Sequence, residues 1–450
     1  MANSTLTYRR ASRSFRGIRW VILSLIFFGT TINYIDRLVI SLVAPTIKHD
    51  YGITPSEYGY IGAAWAIAYA VGQIFSGALL DRIGVRLGYA LSLFFWSMCA
   101  MLTGLGRGFL SFAVFRACLG LSESPAYPAA AKVCAEWFPQ RQRSFAFGWV
   151  NAGCNMAAII TPLMVPWLAL RFGWPSAFNW TGAMGLILLA AWLPLYRRPE
   201  EHPLVSPEEL GLILSDPPQP VEKLPWRKVI RYRQAWVFMG GKMFTDGIWW
   251  FFMTWLPLFL FDPPYNLNLK NIGLPLVTIY LMADIGAVAG GALSSLMIRN
   301  GASVNLGRKT AMLICGACAL PIMFVPHVYN LWGAVAIIGL AVAGHQGYSS
   351  NLYTVVSDLF PKNLVASIAG LGGFCGYIGA SLFQVFTGKW VQYTHNYHAP
   401  FFCAAIAYVV SVAIMHALSP DFQPVVIKAD ATEPSDGFLI IPSSATPGEG

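Results

Sequence analysis

The stretch EWFPQRQRSFA (residues 136–146) returns in altered form, 222 positions further on, as DLFPKNLVASI (358–368). In each copy an acid, two hydrophobic residues and a proline close one apolar run, and a short polar turn opens the next. Proline stops the first helix and suits the start of a second. A repeat at this spacing divides the 450-residue chain into two similar halves.

Reading outward from these marks gives the plan of the chain. A helix needs about 20 mostly apolar residues to cross a bilayer. Twelve segments qualify, at roughly 18–44, 57–80, 87–106, 109–134, 144–169, 174–196, 235–261, 272–298, 309–327, 329–355, 364–388 and 399–419. Composition agrees: 56% of residues are hydrophobic, only 11% are charged and mean hydropathy is +0.54. Soluble domains carry about 25% charged residues. The expected fold is therefore an all-α membrane protein of two pseudo-symmetric six-helix bundles, 18–196 and 235–419. A cytoplasmic tail (1–17) precedes them, a linker (197–234) with one short surface helix joins them, and a disordered tail (420–450) follows. The five arginines at 9, 10, 13, 16 and 19 resemble the start of a signal peptide. The run after them is too long and lacks a small-residue cleavage site, so it reads as an uncleaved first span.

The net charge of +9 is distributed by topology. With the N-terminus inside, the segments on that side hold 22 Lys and Arg, the outer loops hold five, and three lie within spans. This positive-inside bias puts both termini in the cytoplasm and argues against a nucleic-acid face. All eight cysteines fall in apolar segments. Cys315 and Cys318 form a C-x-x-C with no second pair nearby, so buried thiols are expected and not a metal site.

Charges inside spans are costly and default to functional candidates. Asp36 and Arg37 lie in span one, Arg116 and Glu123 in span four, Lys242 and Asp246 in span seven, Asp284 in span eight and His345 in span ten. Arg116 and Glu123 are about 10.5 Å apart along their helix, too far to pair comfortably, so each should meet a partner on another helix. Arg37 is expected to face a cavity and Asp36 a neighbouring helix, with Arg116 as its partner. Lys242 and Asp246, at i,i+4, read as a self-neutralising pair or a functional one; Asp284 is left equally open. His345 is the repeat equivalent of Glu123, which marks it, Gln346 and Asn351 as lining candidates. Tyr34, Tyr69 and Trp249 can stack on a sugar face, whereas Trp20, Trp137, Trp174 and Trp390 fit an interfacial belt. Arg37 offers a fixed cation with paired donors for an anion. Asp36 and Glu123, with Arg116, form a group able to load and release a proton as access alternates.

The loop GALLDRIGVR (Gly77 to Arg86) resembles the loop motif of the major facilitator superfamily, through Gly77, Asp81, Arg82, Gly84 and Arg86. NYIDR, RACLGLSESPAYP and EWFPQRQRSFA together look like its anion:cation symporter family, and WLPLFLF, ADIGAVAGG and VVSDLFP look most like the bacterial hexuronate carriers. The resemblance implies proton-coupled symport of a sugar acid such as galacturonate or glucuronate, or of an aldonate or aldarate. It implies a bacterial inner-membrane location, a monomer, no cofactor beyond the proton, and no enzyme chemistry. It places substrate on the residues matching Arg37, Tyr34 and Tyr69, and proton coupling on those matching Asp36 and Glu123. Galactonate-type members carry a glutamine where this chain has Cys154, which favours a hexuronate. A drug antiporter would show Gly-Pro in span five, where this chain reads Thr161-Pro162. A membrane enzyme would show HExxH, GxSxG or a His with a nucleophile, and none occurs. A non-transporting sensor of the same fold is the remaining rival.

Overall fold

The computed structural model describes residues 17–215, 229–360, 362–422 and 425. Nearly all of the two expected tails and the middle of the linker lie outside these residues. Those described form fifteen α-helices and two 3-10 turns, with no strand. The first seven helices are α1 (Ile18–Tyr51), α2 (Pro55–Ile83), α3 (Val85–Thr103), α4 (Phe109–Glu123), α5 (Ala126–Trp137), α6 (Gln140–Phe172) and α7 (Trp174–Leu195). The short α8 (Pro207–Ile213) follows, then α9 (Arg233–Thr254), α10 (Leu256–Phe261), α11 (Gly273–Arg299), α12 (Val304–Ala319), α13 (Leu331–Leu359), α14 (Lys362–Thr394) and α15 (His398–Leu418).

Among the described residues, ten helical segments are long and apolar enough to cross a membrane. The other two expected spans, four and seven, are each interrupted. Span four breaks at Ser124 and Pro125 into α4 and α5; span seven breaks at Trp255, just before Pro257, into α9 and α10. Proline lacks the N–H that would continue the ladder and restricts the residue before it. Span nine ends in a 3-10 turn, Leu320–His327, that carries Pro321 and Pro326.

Local chemistry sets the helix starts. At α2 the Thr54 hydroxyl accepts the Glu57 amide at 3.2 Å, and the Glu57 carboxylate accepts the Thr54 amide at 2.8 Å. This capping box, with Pro55 in the first turn, satisfies donors that a helix start leaves free. The expected linker helix is α8, capped by Ser206. From it Glu209 reaches back to α1, accepting the amides of Gly17 at 3.1 Å and Arg19 at 3.3 Å. A carboxylate there also complements the positive end of the helix dipole.

In the first half α1 packs on α6 and α7, α2 on α4, and α3 on α4 and α7; in the second, α13 packs on α11 and α12, and α9 on α14 and α15. Between halves α2 lies along α14 and α6 meets α11. At the end opposite the termini these crossings are backbone-tight. A Cβ on Gly59 would lie 2.6 Å from the Gln384 carbonyl oxygen and 3.1 Å from the Gly388 Cα. Nearby, the Tyr58 hydroxyl donates to the Thr254 carbonyl at 3.1 Å.

Candidate functional site

Midway along α1, Arg37 projects into the seam between the halves. Its Nε donates to Glu123 Oε2 on α4 at 3.1 Å, and its Nη2 donates to Asn33 Oδ1, one turn back, at 2.7 Å. The same Glu123 oxygen accepts the Trp65 indole N–H from α2 at 3.0 Å. Both ion-pair partners are buried, and the other carboxylate oxygen, Oε1, has no hydrogen-bond partner. A buried pair of this kind is held by its geometry, and removing one member strands the other at a cost of about 3–5 kcal/mol.

Aromatic rings enclose the guanidinium. Its carbon lies 4.7 Å from the Tyr34 ring centroid, 5.1 Å from Trp65, 4.7 Å from Tyr69 and 5.9 Å from Trp250. Tyr377 of α14 closes the box, its ring 4.4 Å from that of Tyr69. Rings over a cation hold it in place electrostatically while leaving its N–H edge for other partners. Beside this group is a cavity of about 20 Å³, bordered by Arg37, Arg116, Tyr58, Trp65, Trp250 and Gln384. That is room for roughly one water and far less than a sugar acid needs. The expectation that Arg37 faces a cavity holds, on a water-sized scale, and the pair must move apart before an organic anion can enter.

Glu123 meets partners on other helices, as its spacing from Arg116 requires. Arg116 does so differently from expectation. Its Nη1 donates to the main-chain oxygen of Asp36 at 3.1 Å and its Nη2 to that of Arg37 at 3.4 Å, not to the Asp36 carboxylate. Asp36 does face a neighbouring helix. Its carboxylate lies towards Thr181 of α7 but accepts no well-formed bond, because the Thr181 hydroxyl donates to the Phe178 carbonyl at 3.1 Å. Asp36 is thus a buried acid with both oxygens unpartnered.

The remaining candidates separate from this cluster. Trp249 stacks on His345 with centroids 4.9 Å apart, and His345 Nδ1 lies 3.0 Å from the Tyr408 hydroxyl. Of the neighbouring tryptophans it is therefore Trp250, not Trp249, that approaches Arg37. Gln346 is half-buried on α13, where its carbonyl accepts the Ser350 hydroxyl at 3.0 Å. Asn351 is corrected more firmly: its amide donates to the carbonyls of Gly290 and Gly347, both at 2.9 Å, tying α13 to α11. Asn351 contributes to helix packing and does not line the box. Trp65 and Tyr377 escaped the sequence reading, although Trp65 stands one turn before Tyr69 on the same face of α2.

The loop motif occupies the end of the bundle near the termini. Asp81 pairs with Lys132 of α5, Gly84 turns the chain at φ 81°, Gly77 sits in open space, and Arg82 is exposed. Arg86 donates to the Leu193 carbonyl at 2.5 Å and accepts the Trp192 indole at 3.0 Å. In the second half Arg308, 222 positions after Arg86, donates to Asp358 at 3.0 Å and to Ser294 at 2.8 Å.

Known proteins resemble this chain in sequence and in fold. The hexuronate transporter of Escherichia coli (strain K12) is 31% identical over 382 residues, covering 84% of this chain and 88% of that protein. The galacturonate transporter of Dickeya chrysanthemi is 30% identical, covering 70% and 94%. A probable galactarate/D-glucarate transporter of Escherichia coli (strain K12) is 30% identical, covering 88% and 92%. A crystal structure of a bacterial homologue of the human lysosomal transporter Spinster, inward-facing and occupied, superposes with a TM-score of 0.74 at 17% identity, covering 90% of this chain and 98% of that one. Residues 26–384 match the model of the Major Facilitator Superfamily. With that match, its helical architecture and its multi-pass plan, the chain belongs to the major facilitator superfamily and is a membrane transporter, not an enzyme.

Proposed function

We propose that the protein takes up a hexuronate, such as galacturonate or glucuronate, together with a proton across the bacterial inner membrane. Its two halves, 18–196 and 235–419, rock about the seam, with both termini in the cytoplasm and a single chain as the working unit. The observation that carries this reading is the Arg37–Glu123 pair inside a ring of five aromatic residues. Protonation of Glu123 releases the guanidinium, which then takes the substrate carboxylate in its place. Loss of the proton returns Glu123 to Arg37 and expels the anion, so proton and substrate travel together. Asp36, buried and without a partner, is the second acid of the cycle, and Arg116 holds its backbone in place. Tyr34, Tyr69, Trp65 and Trp250 stack on the sugar ring. The names of the similar sugar-acid transporters support the substrate class.

The test uses purified protein in proteoliposomes. A binding panel of galacturonate, glucuronate, galactonate and glucarate ranks the substrates, and Arg37→Ala should abolish binding. Glu123→Gln should lose uphill uptake driven by a pH gradient while counterflow exchange survives. Normal gradient-driven accumulation in that variant would remove Glu123 from the coupling role.

A further inference from the structure

The second half carries a buried ion pair that the mechanism above does not use. Lys242 Nζ and Asp246 Oδ1, one turn apart on α9, are 2.7 Å apart with side chains 8% and 13% exposed. We propose that Lys242 and Asp246 form a second substrate subsite, which takes the hydroxylated end of the sugar acid whose carboxylate Arg37 holds. This rests on the transport reading given above.

Three observations carry it. The pair is held between α9 and α14, the helix of the second half that also lies along α2 of the first: a Cβ at Gly376 of α14 would lie 2.2 Å from Asp246 Oδ2, so only a glycine there leaves the carboxylate its place. The next residue, Tyr377, is within electrostatic reach of both Arg37 and Asp246, and its ring meets that of Tyr69. One tyrosine contact therefore separates the ion pair of the first half from that of the second. Finally, Lys242 Nζ lies 4.9 Å from the Tyr353 ring centroid, a position that helps hold the cation beside its carboxylate. A pair that served only to make α9 insertable could point anywhere on the helix. An ammonium donor beside a carboxylate acceptor matches two adjacent hydroxyls of a sugar, one accepting from Lys242 and the other donating to Asp246. The two tyrosines between the pairs suit the ring that joins carboxylate to diol.

The experiment measures calorimetric binding of D-galacturonate and of tetrahydropyran-2-carboxylate, which keeps the ring and the carboxylate but has no hydroxyls, to the purified full-length chain. The variant Lys242→Met/Asp246→Leu replaces the pair with neutral side chains of similar shape. The expected result is a loss of about tenfold or more in affinity for galacturonate, with the hydroxyl-free acid bound as by the wild type. Equal affinity for galacturonate in wild type and variant overturns the subsite and leaves the transport reading standing. Failure of the wild type to bind any sugar acid overturns both. If the double variant does not fold, Lys242→Arg keeps the ion pair while enlarging the cation. It should weaken galacturonate several-fold and spare the hydroxyl-free acid, and unchanged galacturonate binding refutes the proposal.

Discussion

Adding one methyl group at Gly59 should open the transporter at the end opposite its termini. In the structure that methyl would sit 2.6 Å from the Gln384 carbonyl oxygen, about 0.8 Å short of ordinary contact, and the obstacle is backbone on a facing helix. Overpacking of this kind costs about 1–3 kcal/mol. Alanine also favours the helix over glycine, but α2 stays helical in either conformation, so that gain cancels. The clash acts only when α2 and α14 are in contact. Gly59→Ala should therefore shift the balance towards the state opened at this end by about 5- to 150-fold. The assay is the rate at which a membrane-impermeant maleimide, added from that side, modifies a cysteine at Ala380 in a background without other cysteines. Ala380 is fully buried and borders the central cavity. Gly370→Ala on α14 is the control, since a Cβ there meets nothing within 4 Å. A modification rate equal in Gly59→Ala and in the control would refute the claim that this contact closes the far end.

Other outcomes follow from the same geometry. Trp250→Ala should weaken substrate binding more than Trp249→Ala, because Trp250 alone of the two reaches Arg37; titration of both variants decides it. Asn351→Leu should lower stability by about 1–3 kcal/mol through two lost inter-turn and inter-helix bonds, with the substrate affinity of folded protein unchanged, as thermal unfolding and calorimetry would show. In the linker, His202 accepts the Leu204 amide on Nδ1 at 3.2 Å and places Nε2 3.0 Å from the Leu195 carbonyl, an arrangement that suits the neutral ring. Burial, and secondarily Arg197, holds its pKa below the ordinary histidine value against the pull of the Leu195 carbonyl and Glu209. The folded state thus resists a proton that the unfolded segment accepts, so local stability should fall as pH drops below about 6.5. Hydrogen exchange of residues 199–213 at pH 7 and pH 5.5 measures this, and equal protection at both would contradict it.

Much of this architecture was legible because hydrocarbon imposes a length and an apolar run on every span. The interruptions were less so. Prolines at 45, 162 and 166 lie within continuous helices, while Pro125 and Pro257 accompany breaks. What distinguishes them is tertiary surroundings, which a linear pattern does not carry. Asp36, Arg37, Arg116 and Glu123 stood out because charge in an apolar span has few explanations. Their pairing did not, since a guanidinium can satisfy itself equally on a carboxylate or on main-chain oxygens, and Arg116 takes the latter. Asn351 misled for a related reason. Its amide bonds the carbonyl of Gly290, where α11 and α13 touch backbone to backbone, a closeness that only the folded pair reveals. Trp65 and Tyr377 were hidden among aromatics that, in a membrane protein, mostly mark interfaces.

In and beside the central seam stand three carboxylates, Asp36, Glu123 and Asp246, and three cations, Arg37, Arg116 and Lys242. With all six ionised their charges sum to nothing, and a monoanion arriving with one proton then leaves the loaded carrier electrically silent. Membrane voltage, worth about 2.3 kcal/mol per elementary charge per 100 mV, would then drive neither the filled nor the empty crossing. Accumulation would track the pH difference alone. Uptake that rises with an imposed potassium diffusion potential at fixed pH would show that a further charge travels with the sugar acid.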